Sequence, residues 1–160
     1  TANGVNVTGL NDKVWNSKGS TWKGNGSGIN TFFGDTVAKN VEFDAETTIT
    51  MNFAEAKTIR ALMIYNSSDV NKAFDEIERI EFVDADGNVK YINHLGFDFE
   101  ANTYTLAKYQ EKTDGDEKFI NGASVAEFNE MEVKEIRITI KPGDGKSSVA
   151  LGEIVVLGKN

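Results

Sequence analysis

Hydrophobic positions are densest in the closing segment Ser148–Gly158, where apolar residues run almost without a break except at Gly152 and Glu153. A strand apolar at consecutive positions is one covered on both faces, so this segment predicts a strand that closes a β-core. A carboxylate within such a strand costs several kcal/mol unless something pairs with it. Glu153 therefore needs a partner.

Upstream, the pattern changes from continuous to alternating. Thr47–Phe53 alternates with period two and is rich in β-formers, and Thr58–Tyr65 follows after a short Ala-Glu-Ala-Lys connection. Ile77–Val83 and Val89–Ile92 flank Asp84-Ala85-Asp86-Gly87-Asn88, a turn sequence that places a positive φ at Gly87 and predicts a hairpin. Thr103–Leu106, Ser124–Phe128 and Val133–Ile140 read as further strands, and Pro142–Gly145 as the turn into the closing strand. Asn71–Asp75 is the one hint of a helical turn, and Lys112–Glu117 reads as a solvated loop. The first forty residues hold candidate edge strands at Val5–Val7 and Lys13–Trp15, separated from the rest by the polar loop Asn16–Gly28. Many short strands with turn signals between them predict an all-β fold, an antiparallel β-sandwich or jelly roll, as one domain over residues 1–160.

Composition narrows the partners. The chain of 160 residues has a formal net charge of -8, which argues against phosphate-rich nucleic acid and anionic membranes and leaves neutral ligands open. No apolar stretch approaches the ~18 residues of a membrane span, so no membrane insertion is expected. The absence of cysteine removes disulfides, thiol nucleophiles and thiolate metal sites. The start at Thr1, with no initiator Met, reads as a processing boundary and suggests a module of a longer protein.

No phosphate loop, nucleophile elbow or His-based zinc motif is present. His94 is the single histidine and has no triad partners in the sequence. The acid groups Asp84/Asp86 and Asp114/Asp116/Glu117 read as turn residues, so no enzymatic activity is expected. Two carboxyls facing each other across a cleft, about 5–10 Å apart, would point instead to glycoside hydrolysis.

The order of segments resembles the discoidin, or coagulation-factor C-type, domains, and most of all the bacterial family 32-like carbohydrate-binding modules. Val14-Trp15-Asn16-Ser17, a Gly/Ser loop and Asn30-Thr31-Phe32-Phe33-Gly34-Asp35-Thr36 resemble the family's opening strand, loop and Asp-Gly-Asp segment. Ile49–Ile59, Ile80–Gly87, Ile136–Ile140 and Val149–Gly158 resemble its later strands. Phe33-Gly34-Asp35 replaces Asp-Gly-Asp, and the Trp that usually follows is missing.

The resemblance implies a galactose-binding-like sandwich and a non-catalytic carbohydrate-binding module, extracellular or on the surface of a bacterium. Such a module is covalently part of a multidomain glycan-active enzyme and monomeric in itself. A structural or protein-adhesion module without a sugar site is the alternative. By the same resemblance the ligand sits on loops at one end of the sandwich, here Lys18–Gly28, Asn66–Asp75 and Lys141–Ser148. Trp22 offers a flat apolar face to a pyranose, and Tyr65, Asn66, Ser68, Lys72 and His94 offer polar groups, with Phe74 as a further wall. The family's structural Ca2+ implies Asp35, Thr36 and Glu153 as ligands, since calcium takes six to eight hard oxygens. Otherwise Glu153 pairs with Lys39, Arg60 or Arg137, or reaches solvent at a strand edge.

Overall fold

The computed structural model describes residues 41–67, 69–105, 118–120 and 122–158. The candidate strands and loop of the first forty residues, and the loop at 112–117, lie outside them. The elements are β1 (Val41–Phe43), β2 (Thr47–Asn66), a 3-10 turn (Val70–Lys72), β3 (Glu76–Val83), β4 (Val89–Gly96), β5 (Thr103–Thr105), β6 (Lys118–Ile120), β7 (Ala123–Ile140) and β8 (Val149–Gly158). One sheet has the strand order β1-β8-β2-β7-β3-β4, and β5 pairs with β6 in a second, two-stranded sheet. Every pairing among the described strands is antiparallel.

The closing strand behaves as its pattern requires. β8 lies between β1 and β2, and its residues 149–154 are buried without interruption. Continuous burial of this kind needs cover on both faces, which is why polar alternation is missing there.

The expected break between Thr47–Phe53 and Thr58–Tyr65 does not occur. Both belong to the single strand β2, which pairs along its length with β7, itself continuous across the expected gap between Phe128 and Val133. The polar residues that read as connections sit instead at register shifts, between Asn52 and Lys57 and between Ile59 and Ala61. Such irregularities bend a strand and raise its twist without ending it. A long antiparallel pair can then curl over its own apolar face.

The core is that face. Ile49, Ile80, Phe82, Ile136, Ile138 and Ile140 are essentially fully buried, and Leu62, Ile64, Phe74, Ile77, Val149, Leu151 and Ile154 join the same cluster. β-branched residues dominate because their stiff χ1 packs well on a pleated surface. Each such side chain contributes roughly 1.5–3 kcal/mol on burial.

The hairpin forms as expected, with Gly87 at φ 85. Asp84 holds its turn, accepting from the Asp86 and Asn88 amides and from Asn88 Nδ2, each at 2.9 Å. Those bonds keep the Asp84 carboxyl below its ordinary pKa, Asn88 first. Asp84 and Asp86 are thus turn residues. Among the described residues no helix is long and apolar enough to cross a membrane.

Candidate functional site

Two of the three loops named from sequence meet at one end of the sheet, and Asp75 is what joins them. Asp75 Oδ1 accepts from Lys146 Nζ at 3.1 Å, its Oδ2 accepts from the Asp144 amide at 3.3 Å, and its backbone carbonyl accepts from the Phe97 amide at 3.2 Å. Lys146 also donates to the Ala73 carbonyl at 2.7 Å. Gly143 lies against this carboxylate so closely that a Cβ there would come within 2.4 Å of Asp75 Oδ2. Gly145, at φ 73, provides the left-handed residue that the turn needs.

A cleft of about 380 Å³ opens beside this junction, lined by Asp75, Glu76, Glu78, Gly96, Phe97, Lys141, Pro142, Gly143 and Asp144. Four carboxylates and one ammonium make its walls acidic. Lys141 Nζ lies 2.6 Å from Glu78 Oε1, and this ion pair raises the lysine's pKa. His94, on β4 at φ 53, places Nδ1 3.0 Å from Glu76 Oε1. Glu76, Glu78 and His94 thus bring three potential metal-ligating atoms within 4.8 Å of one another. The two glutamates stand at alternate positions of one strand, so they form one wall and do not face each other across the cleft.

The loop from Asn66 to Asp75 is closed from within. Asn66 is buried, its Nδ2 donates to the Phe74 carbonyl at 2.8 Å, and its Oδ1 accepts from the Ser67 and Phe74 amides, both at 2.9 Å. The Asn66 amide therefore stitches the base of the loop, its nitrogen and its oxygen both engaged by the backbone there. Phe74 is likewise core: fully buried, it meets the Phe97 ring edge-on at 5.6 Å. Asp69 caps the 3-10 turn by accepting from the Asn71 amide at 2.9 Å.

Lys72 reaches across to β1, where its Nζ pairs with Glu42 Oε2 at 2.6 Å, while Ser148 Oγ donates to Glu42 Oε1 at 2.7 Å. These bonds, Lys72 first, hold the Glu42 carboxyl below its ordinary pKa. Tyr65 is half-buried on β2, and burial raises its phenol's pKa, with the charge of Glu153 adding to it. Trp22, Ser68, Asp35 and Thr36 lie outside the described residues.

Glu153 is 2% exposed, on an interior strand, so it does not reach solvent at an edge. Arg137 pairs with Glu135 and Glu81, not with it. Asp75, Glu76, Glu78, Phe97, Lys141 and Asp144 were not singled out from the sequence. The Glu-x-Glu alternation of β3 was visible there, but only strand pairing shows that His94 stands beside it.

No protein-family model and no curated protein matches the chain. Solved structures do. A family 32 carbohydrate-binding module from Clostridium perfringens, in complex with GalNAc-β-1,3-galactose, superposes with a TM-score of 0.53 at 12% identity, over 99% of this chain and 93% of that one. A pectin-binding carbohydrate-binding module gives 0.54 at 10% identity, over 100% and 89%. At such identities the likeness is one of architecture. The chain has the fold of these modules, an antiparallel β-sandwich.

Proposed function

We propose that this chain, a single β-sandwich domain over residues 1–160, is a non-catalytic carbohydrate-binding module. Its sugar site is at the loop end of the sandwich, and the module is carried by a larger secreted or cell-surface bacterial protein that acts on glycans. The observation that carries the reading is the junction of the 66–75 and 141–148 loops at Asp75, with a cleft of about 380 Å³ beside it. A pocket of this size takes one or two sugar rings. The fold shared with sugar-binding modules supports the same reading.

In this proposal Trp22 stacks on a pyranose face, and Tyr65, Ser68, Lys72 and His94 supply polar contacts, while Asn66 acts through the loop it closes. Ca2+, shared by Asp35, Thr36 and Glu153, is proposed as a structural ion tying β8 to the first long loop. The burial of Glu153 fits that role, since a carboxylate there demands compensation. The experiment is a glycan array with the native protein. Saturable binding of a defined sugar is expected, and no binding to any glycan overturns the proposal.

A further inference from the structure

Glu76, Glu78 and His94 form a mixed donor set that neither the sugar reading nor the proposed calcium site uses as a unit. Glu76 and Glu78 are two apart on β3 and share one side of it, and His94 arrives from the paired strand β4. We propose that these three side chains bind a divalent transition-metal ion of the zinc class.

The distances suit such an ion. It holds nitrogen and carboxylate ligands at about 2.0–2.2 Å, so its ligand atoms stand roughly 3–4 Å from one another. His94 Nδ1 and Glu76 Oε1 are already 3.0 Å apart, and all three donor atoms fall within 4.8 Å. Side-chain rotation alone closes the remaining gap, because His94 and Glu76 are exposed enough to turn, at 67% and 36%. The donor types select the class. Calcium takes oxygen only, whereas imidazole joined to carboxylates suits zinc and its neighbours. Three protein ligands leave coordination positions for water or for an oxygen of a cleft ligand.

A second observation bears on the same carboxylate. Lys141 Nζ, a cation, sits 2.6 Å from Glu78 Oε1. Glu78 thus already draws positive charge, and an incoming metal must displace the ammonium. Lys141 is then a competitor whose removal favours the metal.

The test is a calorimetric titration of the chelator-treated full chain with Zn2+, with calcium in excess to fill oxygen-only sites. One equivalent of Zn2+ is expected to bind, with His94→Ala and Glu78→Gln each weakening it roughly tenfold or more. Lys141→Met is expected to tighten it several-fold. Cobalt substitution gives a second readout, since its visible bands should disappear in His94→Ala while the far-ultraviolet circular dichroism stays native. Absence of saturable Zn2+ binding by the native chain overturns the proposal. So does binding that neither His94→Ala nor Glu78→Gln weakens. The outcome is independent of whether the cleft takes a sugar.

Discussion

Tyr65 and Glu153 are direct cross-strand partners, one on β2 and the other on β8, and the pairing slips by one residue immediately beyond them, between Tyr65 and Asn66. The slip leaves Gly152 as the extra residue of β8, next to the buried carboxylate. Burial first, and the Glu153 charge second, raise the phenol's pKa. The folded state therefore holds the Tyr65 proton more tightly than the unfolded chain does. The associated stability is complete below the ordinary tyrosine pKa of about 10 and is lost as the pH rises through the higher folded value. Ultraviolet titration of the chelator-treated protein should show one tyrosine ionising late, and Glu153→Gln should bring it partway back. An unchanged titration in Glu153→Gln would contradict the coupling.

The proposed calcium adds an independent expectation for the same carboxylate. Chelation of calcium-loaded protein should lower its melting temperature, and Glu153→Gln should abolish that sensitivity. Identical melting curves with and without chelator in the native protein would remove the ion from the account.

Asn66 is a structural residue. Asn66→Ala strands the Phe74 amide and carbonyl at a buried position and should cost about 2–4 kcal/mol in urea unfolding. A change within about 0.5 kcal/mol would mean that water replaces the amide easily.

On the acid side, Glu81 accepts from Arg79 at 2.8 Å and from Arg137 at 3.3 Å. These bonds, Arg79 first, keep its carboxyl below the ordinary range, and Glu42 behaves alike. A lowered folded pKa gives stability that is complete above the ordinary glutamate value near 4.3 and lost as the pH falls through the lower folded value. Glu81→Gln should therefore lower the urea midpoint at neutral pH and narrow the gap to wild type near about pH 3. A gap that widens in acid would reverse the assignment.

The walls of the cleft also predict what it refuses. Asp75, Glu76, Glu78 and Asp144 outnumber Lys141 on the walls and Lys146 behind Asp75, a field that repels uronate chains and tolerates neutral sugars. Competition binding should rank neutral hexoses and N-acetylhexosamines above polygalacturonate and alginate. Tighter binding of the polyuronates would contradict this.

The parts legible in the sequence were those fixed by local chemistry. The double burial of Val149–Ile154 follows from a hydrophobic run interrupted only at Gly152 and Glu153, and the 84–88 turn follows from Asp84 and Gly87. The continuity of β2 was hidden because Ala54-Glu55-Ala56-Lys57 interrupts the alternation of β-formers, and such an interruption marks a bulge on a long strand as readily as a loop. The site divides in the same way. The meeting of the 66–75 and 141–148 loops was expected from resemblance, but the roles of Asn66 and Phe74 were not. Exposed and buried asparagines look alike in a sequence, and the difference lies in hydrogen bonds made eight residues away. Asp75 was invisible because its partners Asp144 and Lys146 are some seventy positions distant.

Calorimetry with the glycan selected on the array measures whether the loop end binds sugar. Trp22→Ala and Gly143→Val are the two variants to compare with the native protein. Gly143→Val pushes a side chain onto Asp75 and narrows the cleft. A single-site isotherm is expected for the native protein, with affinity falling about tenfold or more in both variants while their circular dichroism stays native. Undiminished binding by both variants would place the sugar elsewhere on the sandwich, away from the loop end.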